Sequence, residues 1–521
     1  MASETRSIDG AVTTRHWADE IADAVRGSGP PVISTGISPS GEIHIGNMRE
    51  VLTADAVFRA LRDQGVDARF NYVADNFDPL RRVYPFLDAE TYAPLVGRPL
   101  SEIVCPCGEH ASYSEHFLRP FLAALDELGV TVEVERADEM YKSGRMSPYI
   151  IRALERRDQI ATILSELTGK RVDDDWSPFN PLCPDCDRIT QAKVDGFDVV
   201  KRLVHYSCAC GARGSVPMAG GGKLVWRIDW PARWILLGVT VEPFGKDHAS
   251  DGGSYDTGVR IVREVFGGEP PYPVPYEWIR LKGQGDMSSS RGNVLSIGAM
   301  LEVVPPEALR YLVIRERPTR AINFDPGLPL LQLVDELDDV EARGRNERAV
   351  ELSRAGEFAA VGVPFKHLVV VAQSARFDAE SVLAALRRSG YGELDREAVE
   401  TRLAYARRWL ERFAPEEIRF VVAERLPAEA SALTPPQRRF LATLADRIEG
   451  MSEGKRIHEI IYDLAPSVDG ATSGELFEAI YLALLGKRRG PRAGLFIASI
   501  GWEFCAARFR EAAAAVVPGG V

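Results

Sequence analysis

The sequence predicts an α/β protein built on a parallel sheet, followed by an all-helical C-terminal region. Three observations lead there. First, Pro31-Val-Ile-Ser34 is a short apolar strand, and a loop rich in Gly, Ser and Pro follows it and ends in His44-Ile-Gly-Asn47. Met48 to Leu61 then carries apolar residues at helical spacing, with charges on the other face. Second, two further strands end in polar clusters: Ala68–Asp75 runs into Asp75-Asn-Phe-Asp78, and Val239–Glu242 runs into Phe244-Gly-Lys-Asp247-His248. Third, nearly every segment beyond Pro305 has helical periodicity. Strand, glycine-rich loop and helix together present a phosphate to a helix N-terminus, and open parallel sheets take ligands at the carboxyl ends of their strands.

Taken in order, residues 1–29 are expected to form a helix with Trp17, Ile21 and Val25 on one face. Asp75, at a strand's carboxyl end, offers a carboxylate for an ammonium group; a helix cap by Asp78 is the equal alternative. Cys105, Cys107, His110 and His116 make a tetrahedral zinc set within a dozen residues, with Glu109 a rival ligand. Val130–Val134 is expected to be a strand and Pro148–Leu167 a helix. Cys183-Pro-Asp-Cys186 and Cys208-Ala-Cys210 are two close cysteine pairs about twenty residues apart, each in a turn, which is the pattern of a zinc ribbon. Cys505, in an Ala-rich helical tail, is left over as packing. Trp226, Asp229, Trp230 and Trp234 gather around Pro231, as a core or as an amino-acid pocket. Pro305-Pro306 opens a helix. Dense charge between Arg343 and Pro364 marks a boundary, amphipathic helices then run to about Phe509, and Pro518–Val521 should fray.

The composition sets the class. The 521 residues allow three or four domains, and 45% hydrophobic with 26% charged residues is ordinary globular usage. No apolar run reaches the ~18 residues of a membrane helix, and the N-terminus lacks a basic region followed by an apolar core, so a cytoplasmic location is expected. A net charge of −12 argues against general nucleic-acid binding, though not against a local basic face. Arg152, Arg156 and Arg157 read as a solvated helix face. Lys487, Arg488, Arg489 and Arg492 crowd a Gly-Pro turn with no carboxylate in the turn to answer them.

A second stretch, Asp286-Met-Ser-Ser-Ser-Arg-Gly-Asn293, stands some 240 residues after His44-Ile-Gly-Asn47. The two resemble the paired ATP-binding signatures of class I aminoacyl-tRNA synthetases. Gly36–Glu50, Trp226–Trp234, Glu242–His248 and Tyr481–Arg492 resemble, in the same order, segments of the class I lysyl-tRNA synthetase family, so the likeness covers most of the chain. It implies a Rossmann-like catalytic domain with zinc-binding insertions and an all-α anticodon-binding domain. The expected division is an N-terminal helix (1–29), a first catalytic half (30–172, with a zinc-site insertion near 84–118), a zinc ribbon (173–218) and a second catalytic half (219–300). A helical connector (301–345) and the anticodon-binding domain (346–521) complete it.

The implied activity is attack of L-lysine on ATP to give lysyl-adenylate, then transfer to tRNA(Lys), with Mg2+ and structural zinc and with the chain a monomer. His44 and Asn47 would contact phosphates, Ser288, Ser289 and Ser290 would donate to the triphosphate, and Gly36 and Ser38 would line the substrate site with Trp226, Asp247 and His248. Asp75, Asp229 and Glu42 are the candidates to hold the lysine ammonium, and the basic turn would contact tRNA phosphates. Where this family has Lys, position 286 is Asp, which repels a triphosphate; Lys282 and Arg291 flank it as substitutes. That departure keeps two alternatives open, an adenylate-forming paralogue acting outside translation and a non-catalytic tRNA-binding relative.

Overall fold

The structure, a computed structural model, describes residues 15–27, 29–283, 285–287, 294–343, 348–356 and 361–515. The chain divides into two units, one made of residues 1–301, 309–324 and 347–356, the other of 302–308, 325–346 and 357–521.

The first unit is organised around a five-stranded parallel sheet. Helix α1 (Trp17–Val25) comes first, and it buries Trp17, Ala18 and Ala22 while Ile21 and Val25 are half-buried. The buried face is therefore rotated from the expected one, because the two alanines pack closest. Strand β1 (Val32–Ile37) leads through the glycine-rich loop into helix α2 (Ile45–Asp63), and β2 (Arg69–Ala74) follows. Helix α2 does not have the charged solvent face expected of it. Arg49 is wholly buried and donates to the carbonyls of Arg317, Pro318 and Arg320, at 3.1, 2.9 and 2.7 Å. Asp55, also buried, is paired with Arg310 and Arg59.

Strand β3 spans Glu133–Arg136, three residues later than the sequence suggests. Gly129, at φ 67°, ends the preceding helix, and the Val130 N–H is spent on Leu125 O as part of that cap. The long helix expected from Pro148 is two, Ser147–Glu155 and Arg157–Thr168, broken at Arg156 and ended by Gly169 in the left-handed region. Residues 192–217 form a three-stranded antiparallel sheet (Ala192–Asp198, Leu203–Cys208, Arg213–Pro217). Helix α3 (Trp226–Leu237) then leads into β4 (Val241–Gly245), and β5 (Tyr272–Tyr276) completes the sheet.

The strand order is β5-β4-β1-β2-β3. The chain winds outward from β1 to β3, then returns to lay β4 on the other side of β1. The crevice between the carboxyl ends of β1 and β4 is thus the topological switch point, where such sheets bind ligands.

The second unit is mainly helical, with Leu328–Ala342, Phe365–Ser374, Ala379–Arg388 and Arg396–Arg412 preceding Pro435–Arg447 and the helices that run to Ala514. Its last five helices enclose a core that includes Phe440, Leu444, Ile461, Ile480, Phe496 and Cys505. Cys505 is fully buried there, as packing.

Candidate active site

His44 is the N-cap of α2. Its Nδ1 accepts the Gly46 N–H at 3.0 Å, and Asn47 Oδ1 accepts the His44 N–H at 3.2 Å, closing a capping box. Burial drives the imidazole pKa down to about 4, so the ring is neutral at physiological pH. With Nδ1 accepting, the proton sits on Nε2, which can donate to an anion beside the positive end of the helix dipole. Asn47 supports this geometry from the cap itself.

The stretch after the second signature is pinned to the same place. Ile45 N donates to Leu295 O at 3.0 Å, His44 pairs with Ser296 in an antiparallel bridge, and the Met287 side chain packs toward Gly46. Ser288, Ser289, Ser290 and Arg291 lie outside the described residues. Lys282 is exposed, and its N–H donates to Phe324 O. The short strand Gly285–Asp286 pairs with Ile279–Leu281, and the register sets Arg280 directly opposite Asp286. Arg280 is the flanking cation that sequence reasoning passed over. Its signal is its place in Val274–Leu281, the run that leads into the loop.

At the switch point a pocket is lined by Ser34, Thr35 and Gly36 of β1, Glu242 and Phe244 of β4, and Glu50, Asp75, Trp226, Trp230, Arg233 and His248. Trp226 stacks on Trp230 at 5.3 Å and 14°, and His248 lies 5.5 Å from Trp230. Asp247 is exposed and 3.7 Å from His248.

The carboxylates here are of two kinds. Asp75 and Asp229 are buried in an ion network. Arg233 donates to Asp75 at 2.9 Å and also to Asp229, Lys223 contacts Asp75, Asp78 and Asp229, and the Tyr141 hydroxyl donates to Asp229. Burial opposes the charge on Asp75, but Arg233 and Lys223 outweigh it and hold this carboxyl below its ordinary range. Ser38 donates to Asp78 at 2.7 Å, so it belongs to the network's edge. Both expected ammonium holders, Asp75 and Asp229, therefore already face cations of the chain itself. Glu42 is exposed and lines a separate cleft with Ile43, His116 and Ser296.

Glu50 and Glu242 differ. Glu50 is half-buried as a residue, but protein surrounds its carboxyl group, which accepts from Gly36 N at 3.0 Å and Tyr276 Oη at 2.6 Å. Desolvation dominates and lifts its pKa to about 7. Glu242 accepts from Trp230 Nε1 at 2.8 Å, while its Oε2 is enclosed without a hydrogen bond. Burial, joined by the nearby Glu50, pushes it well above the carboxylate range. Among the described residues no salt bridge reaches either carboxyl. Glu50 was missed because a charged residue on an amphipathic helix looks solvated, although it stands inside the Gly36–Glu50 segment.

Among the described residues two clusters could hold metal. Nδ1 of His110 and His116 and the sulfurs of Cys105 and Cys107 converge, as do the sulfurs of Cys183, Cys186, Cys208 and Cys210; each set lies within 4.8 Å. The Cys183–Cys210 and Cys186–Cys208 separations are 3.7 Å, close to the edge of about 3.8 Å that Zn–S bonds of about 2.3 Å give a tetrahedron and far from a disulfide. In the first set the sulfur–nitrogen distances are 3.2–3.5 Å, and the two sulfurs stand 3.3 Å apart, closer than that edge. Glu109 is not among the converging groups.

In the second unit Lys487, Arg488, Arg489 and Arg492 are all exposed. The turn is not wholly unanswered: Arg488 meets Glu478 at 3.4 Å, and Lys487 donates to Arg419 O at 2.8 Å. Arg152 and Arg157 bond to the Val265 and Trp176 carbonyls, as structural groups.

The model of the family described as tRNA synthetases class I (K) matches residues 15–359. A lysine–tRNA ligase of Methanosarcina barkeri is 52% identical over 96% of this chain and 98% of that protein. One from Archaeoglobus fulgidus is 51% identical over 95% of this chain and all of its own length, and one from Thermoplasma acidophilum 39% over 95% and 98%. With the stretch after the second signature meeting the first signature at one helix start on a parallel sheet, these matches establish that the chain belongs to the class I (K) family of tRNA synthetases.

Proposed function

We propose that this chain is a lysine–tRNA ligase. The observation that carries the reading is the enclosed Glu50–Glu242 pair, two carboxyls that no salt bridge reaches among the described residues, in an aromatic pocket at the switch point that Arg233 also lines. One ammonium entering there discharges the pair. Trp226, Trp230 and Phe244 supply apolar surface for an alkyl chain, and Gly36 and His248 close the same wall. The lysine carboxylate attacks the α-phosphorus of ATP, pyrophosphate leaves, and the aminoacyl group passes to a ribose hydroxyl of tRNA. Little covalent work falls to the protein, so positioning and electrostatics dominate. His44 donates from Nε2 to a phosphate oxygen, and α2 presents its N-terminus. Lys282 and Arg280 border the second signature, whose Ser288, Ser289, Ser290 and Arg291 complete the triphosphate site.

Mg2+ would neutralise the phosphates. Zn2+ would sit in both cysteine-containing clusters as a structural ion, consistent with their tetrahedral spacing. Lys487, Arg488, Arg489 and Arg492 would contact tRNA phosphates in the helical C-terminal region. A cytoplasmic monomer is proposed on the same reading; among the described residues no helix is long and apolar enough to cross a membrane.

The deciding experiment is ATP–pyrophosphate exchange with lysine, ornithine, arginine and glutamate, each with and without tRNA. Lysine-dependent exchange is expected, followed by charging of tRNA. Exchange with another amino acid but no charging would instead favour the paralogue acting outside translation, and no exchange at all the non-catalytic relative.

A further inference from the structure

The loop between β1 and α2 takes side-chain hydrogen bonds from two directions. Ser38 Oγ donates to Asp78 at 2.7 Å, which ties the start of the loop to the ion network. Two residues on, the Tyr113 hydroxyl donates to Ser40 O at 2.7 Å. Ser40 stands four residues before His44, so this bond sets the path by which the loop enters the helix cap.

Tyr113 belongs to a different part of the chain, the Cys105–His116 cluster. Its N–H donates to Ile103 O at 2.9 Å, two residues before Cys105, and closes the loop that carries the two sulfurs. Tyr92 Oη donates to the adjacent Val104 O at 3.0 Å. Tyr113 also opens the helix Tyr113–Glu127, which presents His116 one turn later. His116 meets Phe117 edge-on at 4.6 Å, Phe117 lies 5.0 Å from Tyr113, and Tyr92 lies 5.9 Å from it. The Tyr113 ring is wholly buried in a small core with Leu80, Tyr84, Leu100 and Ile103. A close-packed ring has little freedom to turn, so its hydroxyl points where the cluster holds it.

The same helix walls a cleft of about 550 Å³. His116, Phe117 and Pro120 line it on that side, with Glu42 and Ile43 from the first signature loop and Ser296 and Ile297 from the stretch after the second. One helix therefore carries a metal-ligand candidate, borders both signatures and grips the loop of the first. A metal ion bound by the four converging ligand atoms would cross-link the 105–110 turn to this helix.

We propose that Tyr113 is a positioning residue for the nucleotide: its hydroxyl fixes the Ser40 carbonyl, and the Cys105–His116 cluster, when it holds its metal, fixes Tyr113. Metal occupancy and ATP affinity are thereby linked through one hydrogen bond. The proposal rests on the ligase reading for the identity of the nucleotide. By reciprocity, what the metal does for ATP binding, ATP does for metal binding.

The test compares the full native chain with Tyr113→Phe, Cys107→Ser and their double variant. Tyr113→Phe keeps the ring and removes only the hydroxyl. Cys107 is exposed, so its substitution takes away a ligand atom without opening the core. Equilibrium dialysis of ATP with Mg2+, in the absence of lysine, reads nucleotide affinity, and metal analysis reads zinc. Each single variant should bind ATP roughly 3- to 10-fold more weakly, the weight of one hydrogen bond. The double variant should bind no worse than the weaker single one, because both act through the same contact. Cys107→Ser should also lower the zinc content. In the exchange reaction Tyr113→Phe should raise the KM for ATP and hold the KM for lysine within about twofold. Tyr92→Phe, which loses a hydroxyl bond inside the insertion, should leave ATP affinity as it is.

Native ATP affinity in Tyr113→Phe overturns the proposal, and so does an equal rise in both KM values or an equal loss in Tyr92→Phe. Additive losses in the double variant, unaltered zinc in Cys107→Ser, or zinc loss there with native ATP affinity, overturns the link to the metal. Should Cys107→Ser fail to fold, the reciprocal measurement decides: ATP with Mg2+ should slow zinc release to a chelator, and Tyr113→Phe should remove that protection. Release indifferent to ATP in the native chain overturns the link. Lysine-dependent exchange by the native protein stands apart. Its absence sinks the ligase reading, whereas normal exchange with native ATP affinity in Tyr113→Phe sinks only this proposal.

Discussion

Two groups of carboxylates lie around one switch point, and they have opposite electrostatic fates. Asp75, Asp78 and Asp229 share two internal cations, Lys223 and Arg233, and burial pushes the Asp229 carboxyl up. Glu50 and Glu242 accept only neutral donors, from Gly36, Tyr276 and Trp230. A buried network paired from within fixes positions, and a ligand's cation gains less from it. An unsatisfied pair is costly alone and is relieved by a cation that arrives from outside. Depth and chemistry are shared, so the presence of an internal cation separates scaffold from receptor.

The largest effect should come from breaking the scaffold. Arg233→Met removes the guanidinium shared by Asp75 and Asp229 and strands their charges in the core. Loss of one partner from a buried pair costs ~3–5 kcal/mol, which should appear as a lowered urea midpoint. An unchanged midpoint would mean the network is solvated and the contrast is wrong.

Glu50→Gln should do the reverse. Lysine loses a charged partner, so its KM should rise on the order of 10²-fold, at ~1.5–3 kcal/mol for a hydrogen bond to a charged group. Stability without lysine should hold or improve. The folded pKa of about 7 lies above the ordinary 4.5, so the group costs nothing below about pH 4.5. Its cost grows as pH rises toward 7 and reaches about 3 kcal/mol above that. A fall in the urea midpoint at pH 8 matching that of Arg233→Met would place Glu50 in the scaffold.

The same shift predicts a pH profile. Lysine binds the ionised carboxyl, so its apparent affinity should be constant above about pH 7 and weaken up to tenfold per unit below it. Glu50→Gln should abolish this dependence between pH 6 and 8. A profile that survives the substitution assigns the titration to another group.

Much of this was legible in the sequence, and the misses share causes. Both strands that were read too early, at Val130 and Val239, begin with a valine whose N–H belongs to the preceding helix. Gly129 and Gly238 stand at φ 67° and 66°, and Val130 and Val239 donate back to Leu125 and Trp234. A β-branched residue after such a glycine imitates a strand start. Among site residues, Asp75 stands out as a carboxylate at a strand end and Asp229 as one among clustered tryptophans, yet a sequence does not show that Lys223 and Arg233 fold back onto them. Glu50 failed in the other direction, since its helix looked amphipathic and is enclosed nearly all round. Local spacing located the cysteines because short chain segments bring them together. The fate of a carboxylate depends on distant partners, 158 residues away for Asp75 and 226 for Glu50.

The smallest expected effect concerns Asp286, where the family resemblance leads one to expect Lys and where the comparison extends to a third kind of carboxylate, one flanking the proposed phosphate site. Cross-strand register puts Arg280 opposite it. Opposed charges at such a position contribute ~0.2–1 kcal/mol, and like charges cost a similar amount. If Asp286 orders the hairpin through Arg280, then Asp286→Lys sets two cations opposite each other and should slow exchange a few-fold, as should Arg280→Ala. The swap of Arg280→Asp with Asp286→Arg should then recover rate relative to either single change, a coupling that a double-mutant cycle measures. If Asp286 instead only repels the triphosphate, Asp286→Lys should accelerate exchange, and the two positions should be additive. Acceleration together with additivity would make this loop a weakened version of the family's, and Arg280 a bystander.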